Sequence, residues 1–104
     1  MLKVSHKQLI DNALAEIETL EIEDAENFLE DDDTMFVDLR DPRELEREGK
    51  IPNAFHAPRG MLEFWVDPIS PYHKEAFASG KRIIFYCQSG WRSALATKAV
   101  QDMG

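Results

Sequence analysis

Apolar and polar positions along this 104-residue chain change period several times, and each change marks an element. Leu9, Ile10, Ala13, Leu14 and Ile17 recur at helical spacing behind Ser5-His6-Lys7-Gln8, which has the form of a capping box, so the pattern predicts a helix over 5–16. The apolar stretch around Ile17–Ile22 reads as a brief strand. Ala25, Phe28 and Leu29 give one face of a short helix, closed by the acidic turn Glu30-Asp31-Asp32-Asp33. Thr34 to Leu39 is a short strand bounded by charge. Asp41 then serves as N-cap with Pro42 at the first helical position, and Gly49 ends that helix. Residues 51–58 are extended, pinned by Pro52 and Pro58. Met61 to Val66 predicts a helical turn and Pro71 to Ser79 another helix. Arg82 to Tyr86 is an apolar run of the kind buried on both faces, and Ser93 to Met103 is helical.

Strands alternating with helices imply an α/β fold: a parallel, twisted sheet flanked by helices on both faces, with right-handed crossovers. Ligands of such sheets bind outside the carboxyl ends of the strands. Cys87 stands at such an end, directly after Tyr86. Fold logic alone therefore puts the chain's single thiol at the expected site.

Composition narrows the classes. An apolar share of 43% and a charged share of 31% describe a globular chain. No apolar run approaches the roughly 20 residues that span a bilayer, and no membrane partner is expected. Polar residues interrupt the N-terminal segment throughout and leave no apolar signal core, so export is not expected. With 1 Cys there is no internal disulfide, so a free thiol in a reducing compartment, the cytoplasm, is expected. A net charge of −8 argues against nucleic acid as a partner. The charge is uneven, with 6 Lys/Arg against 16 Asp/Glu in residues 1–52 and 6 against 4 in residues 53–104. The half that holds the cysteine is thus the less hostile one for an anion.

The loop Cys87-Gln88-Ser89-Gly90-Trp91-Arg92 leads from a strand into a helix. Consecutive backbone N–H groups in such a loop form a nest for negative charge, and the helix N-terminus adds about half a positive charge. Gly90 permits a left-handed backbone, and Arg92 adds a permanent cation. A thiol placed there ionises below its ordinary value of about 8.5 and becomes a nucleophile. The competing reading, a buried small hydrophobe, leaves the glycine and the arginine without a purpose.

Three pieces, Asp38-Leu39-Arg40-Asp41-Pro42-Arg43-Glu44, Gly49-Lys50-Ile51-Pro52-Asn53-Ala54 and Cys87-Gln88-Ser89-Gly90-Trp91-Arg92-Ser93, resemble the rhodanese-like single-domain sulfurtransferases in order and spacing. The second motif of that family is usually Gly-His-Ile-Pro-Gly-Ala, and Lys50 and Asn53 depart from it. The resemblance covers residues 17–104 and leaves 1–16 as an N-terminal helical extension. It implies persulfide chemistry: Cys87 takes sulfane sulfur from a small anionic donor such as thiosulfate and passes it to a thiophilic acceptor, a thiol or a protein. It implies no metal and no organic cofactor. Gln88, Ser89, Gly90, Trp91 and Arg92 would hold the transferred sulfur or the donor. Members of the family usually continue with one more strand and a final helix, the strand lying beside the one that delivers the cysteine. The expectation is that these residues belong to a longer chain, or that another segment fills that position.

Several roles stay open at this level. Arg92 binds the donor or is tied to a carboxylate, for which Glu44 and Asp38 are the candidates. Arg59 reaches the pocket or faces solvent. Trp91 shields the sulfur or docks a partner. Phe64 and Trp65 pack under the loop, and Asp38 and Arg40 are structural. Phosphatases and arsenate reductases of related fold are the alternative enzymes, but the phosphatases carry five residues between cysteine and arginine, whereas four separate Cys87 from Arg92. The smaller ring suits a single sulfur atom. A non-catalytic interaction module of the same fold is the remaining alternative, and such modules commonly lack the cysteine.

Overall fold

The structure, a computed structural model, describes residues 3–49, 51, 53–87 and 90–104. Its centre is a parallel sheet of three strands, β1 (Thr34–Asp38), β2 (Phe55–His56) and β3 (Arg82–Tyr86), in the order β2-β1-β3. Val37 pairs with Phe55 on one side of β1, and Thr34 through Asp38 pair with Arg82 through Tyr86 on the other. Parallel neighbours need crossovers. Helix α3 (Pro42–Glu48) lies between β1 and β2. The 3-10 turn Arg59–Met61, helix α4 (Leu62–Val66) and the 3-10 turn Glu75–Ala78 lie between β2 and β3. Helices α1 (His6–Glu16) and α2 (Ile22–Glu26) precede the sheet, and α5 (Trp91–Met103) follows it. No described helix is long and apolar enough to cross a membrane.

Local chemistry sets the helix ends. The Ser5 hydroxyl accepts a hydrogen bond from the Gln8 amide at 3.2 Å and starts α1. At α3 the box is reciprocal: Asp41 accepts from the Arg43 amide at 2.8 Å, and Glu44 accepts from the Asp41 amide at 3.1 Å. Asn53 has φ 65°. Among residues with a Cβ, asparagine tolerates that left-handed region best. The backbone thus explains how asparagine stands where the family usually has glycine.

Val37 on β1 is fully buried and clusters with Leu39, Ala57, Leu62 and Ala96, walled by Phe55, Trp65, Phe77 and Phe85. Burying a Val or Leu side chain contributes about 1.5–3 kcal/mol, so this layer between sheet, α4 and α5 is the main apolar support. Side chains alternate along a strand, and Asp38 points the other way. Its carboxylate is 1% exposed and accepts from Arg40 Nη2 at 2.8 Å, Arg40 Nε at 3.0 Å and the Arg40 amide at 2.9 Å. Arg40 Nη2 also donates to the Gly49 carbonyl at 2.7 Å, and His56 Nε2 meets the Arg40 carbonyl at 2.7 Å. Asp38 and Arg40 thereby join the end of β1 to the loop before β2 and to β2 itself.

The Tyr86 hydroxyl is buried and has no hydrogen-bond partner among the described residues. Burial, followed by the approach of the hydroxyl to the Asp38 carboxylate, pushes its pKa up to about 12. Removing an unsatisfied hydroxyl forfeits no hydrogen bond. Tyr86→Phe should therefore change stability by less than about 1 kcal/mol, measured by chemical denaturation; a larger loss would mean that the hydroxyl is satisfied.

Three sequence expectations are corrected. Ile17 to Glu21 forms no strand: the Ile17 amide closes α1 on the Ala13 carbonyl at 3.1 Å, and the segment pairs with nothing in the sheet before α2 opens. Pro71 to Ser79 holds only the 3-10 turn Glu75–Ala78. Just upstream, Asp67 accepts from the Ile69 amide and Ser70 from the Tyr72 amide, local turns that compete with a helix. Ile83 to Tyr86 are only half-buried rather than enclosed on both faces. Among the described residues β3 has a strand on one side only.

Candidate functional site

Strand β3 ends at Tyr86, so Cys87 emerges at the carboxyl edge of the sheet, next to the Asp38–Arg40 corner of β1. The chain then turns into α5 through Gly90, whose φ of 85° and ψ of −8° are left-handed. A Cβ there would meet no atom within 4 Å, so glycine is favoured by backbone conformation rather than by space.

Cys87 is half-buried. Burial pushes its thiol pKa up, but the amides of Ser93, Gly90 and Arg92 and the Ser93 hydroxyl pull it down, and the net result lies below the ordinary value. Ser93 Oγ stands 3.7 Å from Cys87 Sγ and donates to the Gly90 carbonyl at 3.1 Å. In the neutral thiol the S–H donates to that oxygen; once the thiol ionises, the hydroxyl can turn and donate to sulfur. Ser93→Ala should therefore move the alkaline-rising limb of the thiol's pH profile upward by about 0.5–1 unit, the size of one lost hydrogen bond. The rate of alkylation against pH checks this; an unmoved limb would leave the amides as the whole cause.

Arg92 is held toward α3 while its guanidinium stays within reach of the Cys87 sulfur. Its Nη1 and Nη2 donate to Glu44 Oε1 and Oε2 at 2.7 and 2.9 Å, a forked pair. The Arg92 guanidinium, helped by the Asp41 amide, holds the Glu44 carboxyl down at about 2. A carboxylate depressed from 4.5 favours the folded state above about pH 4.5 and loses that contribution as pH falls toward 2. Glu44→Gln should flatten this part of the acid-unfolding curve, read by far-UV circular dichroism; an unchanged acid limb would show the pair to be inconsequential for stability.

A cleft of about 860 Å³ opens over the thiol, walled by α1 on one side and by Phe85, Cys87, Gly90, Trp91 and Ser93 on the other. Gly90 and Trp91 thus line it with Cys87. Trp91 is 55% exposed, its ring 5.6 Å from that of His6. Arg59 is not a lining residue; it is ion-paired with Glu63 at 2.7 Å. Gln88 and Ser89 lie outside the described residues. Phe64 is exposed, and Trp65 packs edge-on against Phe55, not under the loop. Among the described residues no three His, Cys, Asp or Glu side chains are grouped to hold a metal. Sequence reasoning passed over Ser93 and the α1 wall. Ser93 follows Arg92 in the loop motif and was available as a signal; the placement of α1 was not.

The family model for the rhodanese-like domain matches residues 21–104. A solved structure from Rhodopseudomonas palustris CGA009, of a protein of unknown function and possible tyrosine phosphatase, is similar with a TM-score of 0.96 and 50% identity, over 100% of this chain and 80% of that one. No curated protein matches the sequence.

Proposed function

The chain belongs to the rhodanese-like domain family, and on that premise we propose that it is a sulfurtransferase acting through a persulfide on Cys87. The observation that carries the reading is the placement of a half-buried thiol, held below its ordinary pKa by loop amides, at the carboxyl end of β3 on the floor of a cleft. The thiolate attacks the outer sulfur of thiosulfate; the S–S bond of the donor breaks, sulfite leaves with the electron pair, and Cys87–S–S⁻ remains. A thiophilic acceptor then takes the terminal sulfur and regenerates the thiolate, a two-step covalent scheme. The amides that favour the thiolate also favour the persulfide anion. A free thiol of this kind suits the reducing cytoplasm.

The name of the structural relative motivates a second reading, a phosphatase. Two features favour sulfur. Only four residues separate Cys87 from Arg92, and both terminal nitrogens of Arg92 are engaged by Glu44, whereas a phosphate would need that guanidinium. The deciding experiment is intact mass after incubation with thiosulfate. A gain of one sulfur atom, removed by cyanide and absent in Cys87→Ala, is expected. No gain, with turnover of p-nitrophenyl phosphate that Cys87→Ala lacks, would sink the sulfur reading in favour of the phosphatase.

A further inference from the structure

We propose that the first turn of α1 forms part of the donor-binding wall, with Lys7 receiving the anionic end of a small sulfur donor while its outer sulfur meets Cys87. This inference rests on the sulfurtransferase reading and assigns it a residue outside the family-matched segment 21–104. Helices α1 and α5 run parallel: His6 meets Trp91 at one end, and Glu16 meets Lys98 and Gln101 at the other. Both N-termini therefore lie at the end where the Cys87 loop enters α5. That end carries the basic side chains. His6 and Lys7 are the basic side chains among the described residues that line the cleft.

The other cations near the site already hold carboxylates, Arg92 while it also interacts with Cys87. Arg92 is forked onto Glu44, Arg40 onto Asp38 and Arg59 onto Glu63. Lys7 has no ion pair among the described residues and is exposed in the same cleft as the sulfur. The acidic lining residues Asp11 and Glu18 stand farther along α1 and beyond its C-terminal end. Asp11 is four residues, about one helical turn, along α1 from Lys7, so Lys7 is the nearer of the two to the Trp91 end. Donor charge is thus drawn to the Trp91 end of the cleft and repelled from the other. His6, its ring tilted 50° to that of Trp91, lies beside the indole at that entry.

The test compares two reagents on wild type, Lys7→Glu and Lys7→Arg. Thiosulfate loads Cys87 and releases sulfite. Neutral methyl methanethiosulfonate reacts with the same thiolate, giving Cys87–S–S–CH3 and methanesulfinate, and so reports the reactivity of the sulfur without anion recognition. Lys7→Glu should lower kcat/KM for thiosulfate about tenfold at low salt, and the gap should shrink at high salt. The neutral reagent should slow by less than about twofold, and Lys7→Arg should keep the wild-type preference. Equal thiosulfate loading by wild type and Lys7→Glu overturns this inference and leaves the sulfurtransferase reading standing. A wild type that reacts with the neutral reagent but gains no sulfur from thiosulfate overturns both.

Discussion

Cys87→Ser should reduce thiocyanate formation from thiosulfate and cyanide by at least about 10⁴-fold, to the uncatalysed background. The change removes one atom type and almost no volume, so the fold should persist. What vanishes is the intermediate. A serine hydroxyl does not ionise at neutral pH, and the amides of Ser93, Gly90 and Arg92, which pull the thiol down, have no comparable anion to stabilise. Nor can an alkoxide hold a sulfane sulfur in an S–S bond. Steady-state assay of the purified variant is the check, with its thermal transition as control for folding. Activity above about one hundredth of wild type would mean that sulfur passes by another route.

The largest stability effect is expected at Asp38. Asp38→Ala should destabilise by about 3–5 kcal/mol, because it leaves a buried guanidinium with only the longer, 3.5 Å pair to the half-exposed Glu48. Arg40 is 8% exposed, and three of its N–H groups are held by that carboxylate. Against a total of about 5–15 kcal/mol for a typical domain, the loss is large enough to depopulate the folded state. Burial pushes the Asp38 pKa up, but the hydrogen bonds from Arg40 outweigh it and hold the group below 3.8. A depressed carboxylate contributes its stability above its unfolded pKa and loses it as pH falls through the folded one. The gap between wild type and Asp38→Ala should accordingly be full near neutrality and narrow below about pH 4. Denaturant titrations at several pH values measure it; a loss under about 1 kcal/mol at pH 7 would show that Arg40 finds water or another acceptor.

The parts legible from sequence were those whose cause is local. The Asp41-Pro42 start and the Glu44 partner of its box lie within four residues, and β1 and β3 are short apolar runs ended by charge or by the cysteine loop. Cys87 at a strand tip followed from the same runs. What escaped depends on distant neighbours. Ile17 to Ile22 has the apolar content of a strand, but a strand exists only through a partner, and none adjoins it among the described residues. The Arg92–Glu44 fork joins residues 48 apart, and the sequence could only name Glu44 and Asp38 as rival partners. Asp38 was already taken by Arg40, a competition visible only in three dimensions. The α1 wall escaped for the same reason: amphipathic spacing says that a helix has an apolar side, not which helix it will meet.

The flank of β3 that carries no strand among the described residues has a further consequence for how these 104 residues, taken alone, behave at high concentration. Ile83 to Tyr86 present backbone groups that no neighbouring strand occupies among the described residues, and such a margin can recruit an extended segment from another molecule. Lys81 and Arg82 stand at its start, where like charges on two copies repel. Salt weakens that repulsion, so concentrated, high-salt stocks are the conditions in which intermolecular strand pairing, and with it clumping, is most favoured.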